Sequence, residues 1–380
     1  MVHAPEARSA QVAVDQRVPL VRARIRDRVH LAARAEERDL AAVERHEDTV
    51  APAEGRKRDP VDRQVVLDYE AVPLLLREAD VDELLSPEDA VEAVEACFER
   101  LARGVVENQP RFRLPLEDGL FHVMAAVDRE LGVAGLKSYV GLRDGARFVV
   151  VLFAADSPEV LAYVEADRLG QRRTGAATAV AARRLARSGA RTLGVIGCGW
   201  QAESQVECLR AALPGLEETV VYCRSEERRE DFARRFDAEA AEWYSEAAAQ
   251  DVVVTVTSSR DPVLRGEWLQ PGALVCAVGA NRLQARELDN AVLERAAFVC
   301  CDSRAQARVE AGDLVEPVER GVLDWLEVHE LADVVGGELQ GRQHDDDIVL
   351  FKSLGIAAED LAVAKLVVDR ARERGVGTEV

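Results

Sequence analysis

The chain has 380 residues, enough for two domains and a sizeable core. Its net charge of −20, from 49 basic and 69 acidic side chains, argues against nucleic acid or an anionic membrane as partner. No segment has the apolar length of a membrane span or the layout of a signal peptide, so a cytoplasmic location is expected.

Residues 1–64 hold 13 basic and 12 acidic side chains, so the acidity belongs to the remainder. Only four lysines occur, Lys57, Lys137, Lys352 and Lys365. An acidic, lysine-poor surface suggests a halophilic cytoplasm, where carboxylates keep a protein hydrated. The seven cysteines, an odd number with Cys300 and Cys301 adjacent, read as small buried hydrophobes rather than a disulfide framework.

Residues 1–64 alternate Arg, Glu, Asp and Ala without a sustained apolar period and are expected to be a disordered or non-native extension. From Val66 the texture is globular. Ser86-Pro87-Glu88-Asp89 is a helix start, with Ala90, Val91, Val94, Cys97, Phe98 and Leu101 on one face. Strands are predicted around Phe112–Leu116, Leu120–Ala126 and Phe148–Ala154, with Gly135-Leu136-Lys137-Ser138-Tyr139-Val140 between them. Arg173-Thr174 is expected to open a long helix running from Ala176 to Arg187.

Next comes Leu193-Gly194-Val195-Ile196-Gly197-Cys198-Gly199-Trp200-Gln201-Ala202, a buried strand, a turn and a helix start. The turn has the G-x-G-x-x-A form of a dinucleotide-binding fingerprint. Gly197 permits the tight turn, Gly199 leaves room for the pyrophosphate, and Ala202 lets the helix pack on the strand with its amides toward the phosphates. The alternation continues through strands 219–223, 252–257, 273–278 and 297–301, which predicts a parallel sheet covered on both faces. After strand 219–223, the second of the Rossmann strands, stands Arg224-Ser225 where an acid would favour NAD. A cation and a hydroxyl suit a 2′-phosphate, so NADP(H) is preferred and NAD(H) possible. A final helix is predicted over 359–374. His344 beside Asp345-Asp346-Asp347 is read as solvated acid rather than metal ligands, and no metal is expected.

From about Val66 onward the motifs resemble, in order, the ornithine cyclodeaminase/mu-crystallin family of NAD(P)-dependent enzymes. They are Gln109-Pro110-Arg111, Gly135-Leu136-Lys137, Arg173-Thr174-Gly175-Ala176, the Gly197–Ala202 turn, Thr257-Ser258-Ser259, Val278-Gly279-Ala280, Arg286-Glu287-Leu288-Asp289 and Ser353-Leu354-Gly355 before Glu359-Asp360. The resemblance implies an α/β fold in which a Rossmann-type doubly wound sheet (189–342) is inserted into a discontinuous α+β substrate-binding and dimerisation domain (65–188 and 343–380). It also implies a homodimer built on sheet residues Phe112, Val149, Val150 and Leu152. Thr174, Trp200, Gln201, Thr257, Ser258, Val278, Gly279, Ser353 and Gly355 fall among the expected cofactor contacts.

By the same resemblance Lys137 is the catalytic residue, and Arg111 and Arg173 hold a substrate carboxylate. A lysine retained between apolar Leu136 and Tyr139, in a chain that avoids lysine, agrees with that role, since a buried ammonium can give a proton to nitrogen. Two positions depart from the cyclodeaminases. Asn281 stands where they place an acid/base Asp, and His122 stands where they place an acid before Val123-Met124. Both lean toward an oxidoreductase acting on the C–N bond of a small amino or imino acid, as a ketimine reductase or alanine dehydrogenase does. The alternatives are ornithine cyclodeamination with bound NAD, and a cofactor-dependent binding protein without turnover.

Overall fold

The computed structural model of the protein describes residues 72–142 and 145–380, so the extension expected over 1–64 lies outside the described residues. The strands are β1 (Leu74–Leu76), β2 (Val106–Leu116), β3 (Gly119–Asp128), β4 (Val133–Leu142), β5 (Gly145–Ala154), β6 (Val160–Glu165), β7 (Thr192–Ile196) and β8 (Glu218–Tyr222). They continue with β9 (Glu239–Ala240), β10 (Val252–Thr255), β11 (Leu274–Ala277), β12 (Ala296–Cys301), β13 (Val328–Glu330), β14 (Ile348–Lys352) and β15 (Thr378–Glu379).

One sheet, ordered β15-β1-β6-β5-β4-β3-β2, is antiparallel from β2 through β6. Its strands alternate inward and outward residues, as β3 shows with Met124, Ala126 and Asp128 buried at every second position. The Pro87–Ala102 helix starts as the sequence predicts. Ser86 accepts from the Asp89 amide at 3.2 Å, the Asp89 carboxylate takes the Ser86 amide in return, and Pro87 occupies the first turn. Its apolar face packs against the Asp167–Leu185 and Ala357–Arg374 helices, and the latter lies on β3 and β4.

The second sheet, ordered β13-β12-β14-β11-β10-β7-β8-β9, is parallel throughout. β10, β11 and β14 are buried along their whole length, the mark of strands covered on both faces. β14 moves the expected boundary at 342/343. Its run Ile348-Val349-Leu350-Phe351-Lys352 is too apolar for a one-sided sheet and sits between β11 and β12, so the chain leaves the parallel sheet only after it.

Three further expectations are corrected. The helix expected to open at Arg173-Thr174 begins at Asp167. Arg173 and Thr174 are therefore interior helix residues, held by the burial of Leu169, Ala176, Ala177 and Val180 on either side of them. Of the four sheet residues implied in a dimer, Phe112 (57 % exposed) and Val149 (37 %) face outward, while Val150 and Leu152 are fully buried. Strand alternation makes this unavoidable, since 149 and 150 must point to opposite faces. The cysteines are also not all small core residues. Five are buried and free, but Cys198 and Cys223 form a disulfide with Cα atoms 5.9 Å apart. They follow two adjacent parallel strands, β7 and β8, whose ends lie level, a proximity that spacing along the chain does not show.

Candidate active site

A cleft of about 1170 Å³ opens where the carboxyl ends of β7, β10, β11 and β14 meet β3, β4 and the Asp167–Leu185 helix. Among sequence-predicted residues it gathers Arg111, His122, Lys137, Arg173, Thr174, Gly199, Trp200, Gln201, Thr257, Ser258, Val278, Gly279, Asn281, Ser353 and Gly355. Crevices at this end of a parallel sheet are where doubly wound folds hold ligands. Gly197 and Ala202 are buried behind the cleft wall rather than on it. Arg224 and Ser225 stand at the end of β8, outside the lining, and the Ser225 hydroxyl caps the Glu226–Arg235 helix by accepting from the Arg228 amide.

At the cofactor end the design is backbone. Gly197 has φ +124°, and a Cβ there would come 2.4 Å from the Val256 carbonyl oxygen. Gly199 has no atom within 4 Å of where its Cβ would stand, and it begins the Trp200–Ala212 helix without a side-chain cap. The first amides of that helix are thus left for an anion, and the residues fit a dinucleotide pyrophosphate. Trp200 is half exposed under the Arg168 guanidinium, 4.3 Å from its ring centre.

Buried Glu287 shapes the neighbouring strand ends. One carboxylate oxygen accepts from the Thr257 amide and hydroxyl at 2.7 and 2.8 Å. The other accepts from the Thr255 hydroxyl and the Gly279 and Ala280 amides. Behind it Asp313 takes the Glu287 and Leu288 amides and pairs with the fully buried Lys352 at 3.2 Å.

The substrate end is built of buried charge. Lys137, on β4 and 2 % exposed, donates to Asp360 at 2.8 Å. Burial, together with the Arg173 and Arg111 charges, lowers its pKa to about 8 although Asp360 pulls the other way. Burial disfavours ionised Asp360, but the Arg173 and Lys137 charges outweigh it and hold the carboxyl below its usual range. Arg173 reaches Asp360 through Nε at 2.9 Å and Glu359 through Nη1 at 3.0 Å. Burial lifts Glu359 to about 8 despite that contact. Arg111 is held by Glu310 at 3.3 Å and by the Leu354 and Gly355 carbonyls, leaving its Nε without a partner. Asp302 accepts from the Leu354 and Gly355 amides and fixes the same turn. His122 stacks on Tyr139, with ring centres 4.2 Å apart, and its pKa falls to about 4 through burial and nearby arginines.

Sequence reasoning assigned no role to Asp360, Glu359, Glu310, Asp302, Glu287 or Arg113. Glu359-Asp360 and Glu287 stood inside quoted motifs, and their only other signal was acid in an apolar setting. Their partners lie far along the chain, 223 residues away for Lys137 and Asp360.

Three comparisons bear on this geometry. The family model described as ornithine cyclodeaminase/mu-crystallin family matches residues 71–375. An alanine dehydrogenase of Archaeoglobus fulgidus is 35% identical over 319 residues, 81% of this chain and 98% of that protein. An iminosuccinate reductase of Paracoccus denitrificans is 33% identical over 321 residues, covering 81% and 99%. Among solved structures, an archaeal alanine dehydrogenase dimer with bound NAD superposes with a TM-score of 0.78 at 32% identity, covering 82% of this chain and 99% of that one. With the family model matching nearly the whole of its described length, this chain belongs to the ornithine cyclodeaminase/mu-crystallin family.

Proposed function

We propose that the cleft interconverts a 2-imino acid and the corresponding 2-amino acid, reducing C=N to CH–NH. The chain is an NAD(P)-dependent oxidoreductase of C–N and C=N bonds. The observation that carries the reading is the Lys137 ammonium, buried in the cleft, fixed by Asp360 and with a pKa of about 8. A bound nicotinamide cofactor supplies the hydride.

Lys137 gives its proton to the substrate nitrogen in reduction and takes it back in oxidation. The resulting neutral amine stays in place because Asp360 remains paired with Arg173. The 2-carboxylate docks on the donors that internal pairing leaves over, Arg111 Nε and Arg173 Nη2. Glu287 holds Thr257 and Gly279 in position at the strand ends and keeps that wall rigid. Asn281 has no proton to exchange, which weighs against a deaminating lyase.

Exposed Arg224 forms no ion pair among the described residues, which supports a preference for NADP(H); tighter binding of NADH than NADPH would refute it. The outward face with Phe112, Leu114, Leu116 and Leu142 exposed supports a homodimer, measurable by sedimentation. The central test is a panel of pyruvate with ammonium, cyclic ketimines and ornithine, each with both cofactors. Stoichiometric cofactor consumption is expected. Ammonia released from ornithine without net cofactor consumption would select the lyase instead. The relatives differ in named substrate at nearly equal identity, so likeness does not choose among imino acids.

A further inference from the structure

Cys198 stands between Gly197 and Gly199, inside the turn read as the pyrophosphate site, and Cys223 is the first residue after β8. The two are 25 residues apart in the chain and joined by a disulfide, with Cα atoms 5.9 Å apart, inside the range a bridge needs. β7 and β8 stay in register to Ile196 and Tyr222, and the Gly197 amide extends the ladder by donating to the Tyr222 carbonyl at 2.8 Å. The bridge joins the next positions along. Both of its cysteines are half-buried, whereas Cys97, Cys208, Cys276, Cys300 and Cys301 are buried, and burial raises those thiols well above the usual range. Exchange with a small thiol needs access and a thiolate, so this pair is where the chain can respond to one.

The two sides of the bridge are held differently. On the Cys223 side, the Arg229 guanidinium lies over the Tyr222 ring, 5.5 Å from its centre, and donates to the Cys223 carbonyl at 3.1 Å. Two residues on, Ser225 caps the Glu226–Arg235 helix. On the Cys198 side, neither the Cys198 amide nor the Gly199 amide has a hydrogen-bond partner among the described residues. Amides kept free for a pyrophosphate cannot also hold the turn in shape. A covalent tether to a fixed neighbour holds it without using up those donors. Neither cysteine lines the cleft, so the bridge braces the turn and leaves the cleft open.

We propose that Cys198 and Cys223 are a redox-modification site that sets the affinity of the dinucleotide turn. Bridged, the turn is preformed; reduced, it must be ordered as the cofactor arrives and binds more weakly. This rests on the reading of the Gly197–Ala202 turn as the pyrophosphate site. The co-reactant is a small dithiol/disulfide couple. A thiolate of the dithiol attacks one cysteine sulfur, the S–S bond breaks and a mixed disulfide forms. The second sulfur of the dithiol then displaces that cysteine and the reagent leaves as a cyclic disulfide. Two electrons and two protons pass to Cys198 and Cys223, and the oxidised couple reverses the step. The coupling is reciprocal: the factor by which bridging raises cofactor affinity is the factor by which bound cofactor favours the bridge.

The test uses the full chain, equilibrated with oxidised or with reduced dithiothreitol that is then removed. After denaturation the oxidised sample should show five thiols and the reduced sample seven. Binding of NADPH and of NADH is measured by calorimetry in the absence of oxygen. The reduced form should bind both more weakly, by about fivefold or more, the usual scale of coupling between two sites. Cys223→Ser should bind like the reduced form however it is prepared. On the unsubstituted chain, graded mixtures of oxidised and reduced dithiothreitol give the ratio at which half the bridges are open. Saturating NADPH should move that ratio toward the reductant by the same factor, whereas a bridge that only stabilises the fold would leave it in place. Seven thiols after oxidation, equal or tighter binding by the reduced form, or a ratio unmoved by NADPH overturns the inference, while cofactor binding by either form leaves the pyrophosphate reading standing. If neither form binds NADPH or NADH, that reading fails and the inference falls with it.

Discussion

The two ends of the cleft, each proposed to hold an anion, are built by opposite means. At the parallel sheet the wall is made from backbone: an uncapped helix start, a glycine with φ +124°, and a second glycine with open space where a side chain would be. At the antiparallel sheet it is made from buried side chains, with Lys137, Arg173, Asp360 and Glu359 in contact with one another. Backbone amides carry partial charge and need no counter-ion, so the first end tolerates burial cheaply. Full charges do not, so the second end must supply acids to match its bases, and each acid shifts the pKa of its neighbour.

That contrast predicts unequal sensitivity to substitution. Asp360→Asn should be the most damaging, because it leaves both Lys137 and Arg173 short of a buried counter-charge. A loss of about 3–5 kcal/mol in unfolding free energy is expected from denaturant titration, typical of breaking a buried pair from one side. In protein that still folds, the Lys137 pKa should move below about 8, since Asp360 is what raises it. A pH profile superimposable on wild type would show that Asp360 does not tune the lysine.

Lys137→Arg keeps the charge but removes the exchangeable proton, and should cost ~100-fold or more in kcat with cofactor binding largely kept. In wild type the same group sets the pH dependence. Reduction needs the ammonium, so its rate should fall as pH rises through about 8, whereas oxidation needs the free amine and should rise through the same range. Rates in both directions that are flat between pH 7 and 9 would mean the proton comes from elsewhere.

The backbone end should respond more mildly. In Gly199→Ala the added Cβ meets no protein atom within 4 Å, so the melting temperature should stay near wild type while cofactor dissociation constants rise about tenfold from steric conflict with the pyrophosphate. Unchanged cofactor affinity would place the pyrophosphate somewhere other than this turn. The smallest effect, about 1 kcal/mol of stability and no change in KM, is expected for Ser86→Ala, which removes a helix cap remote from either end.

The sequence by itself determined what depends on neighbours in the chain. The strand-turn-helix at Thr192–Ala212, the capped helix at Pro87 and the buried parallel strands follow from local period and from glycine stereochemistry, which act over a few residues. A buried lysine was legible at Lys137 because the chain uses so few. Tertiary structure alone decided who its partner is, for Asp360 comes to this strand residue from the Ala357–Arg374 helix, 223 residues away. It also decided that β14 enters the parallel sheet, that Val149 and Val150 part to opposite faces, and that Cys198 meets Cys223. Periodicity reports which residues are buried. Which charges are then neutralised depends on groups far apart in the chain, and only the closed fold fixes those pairs.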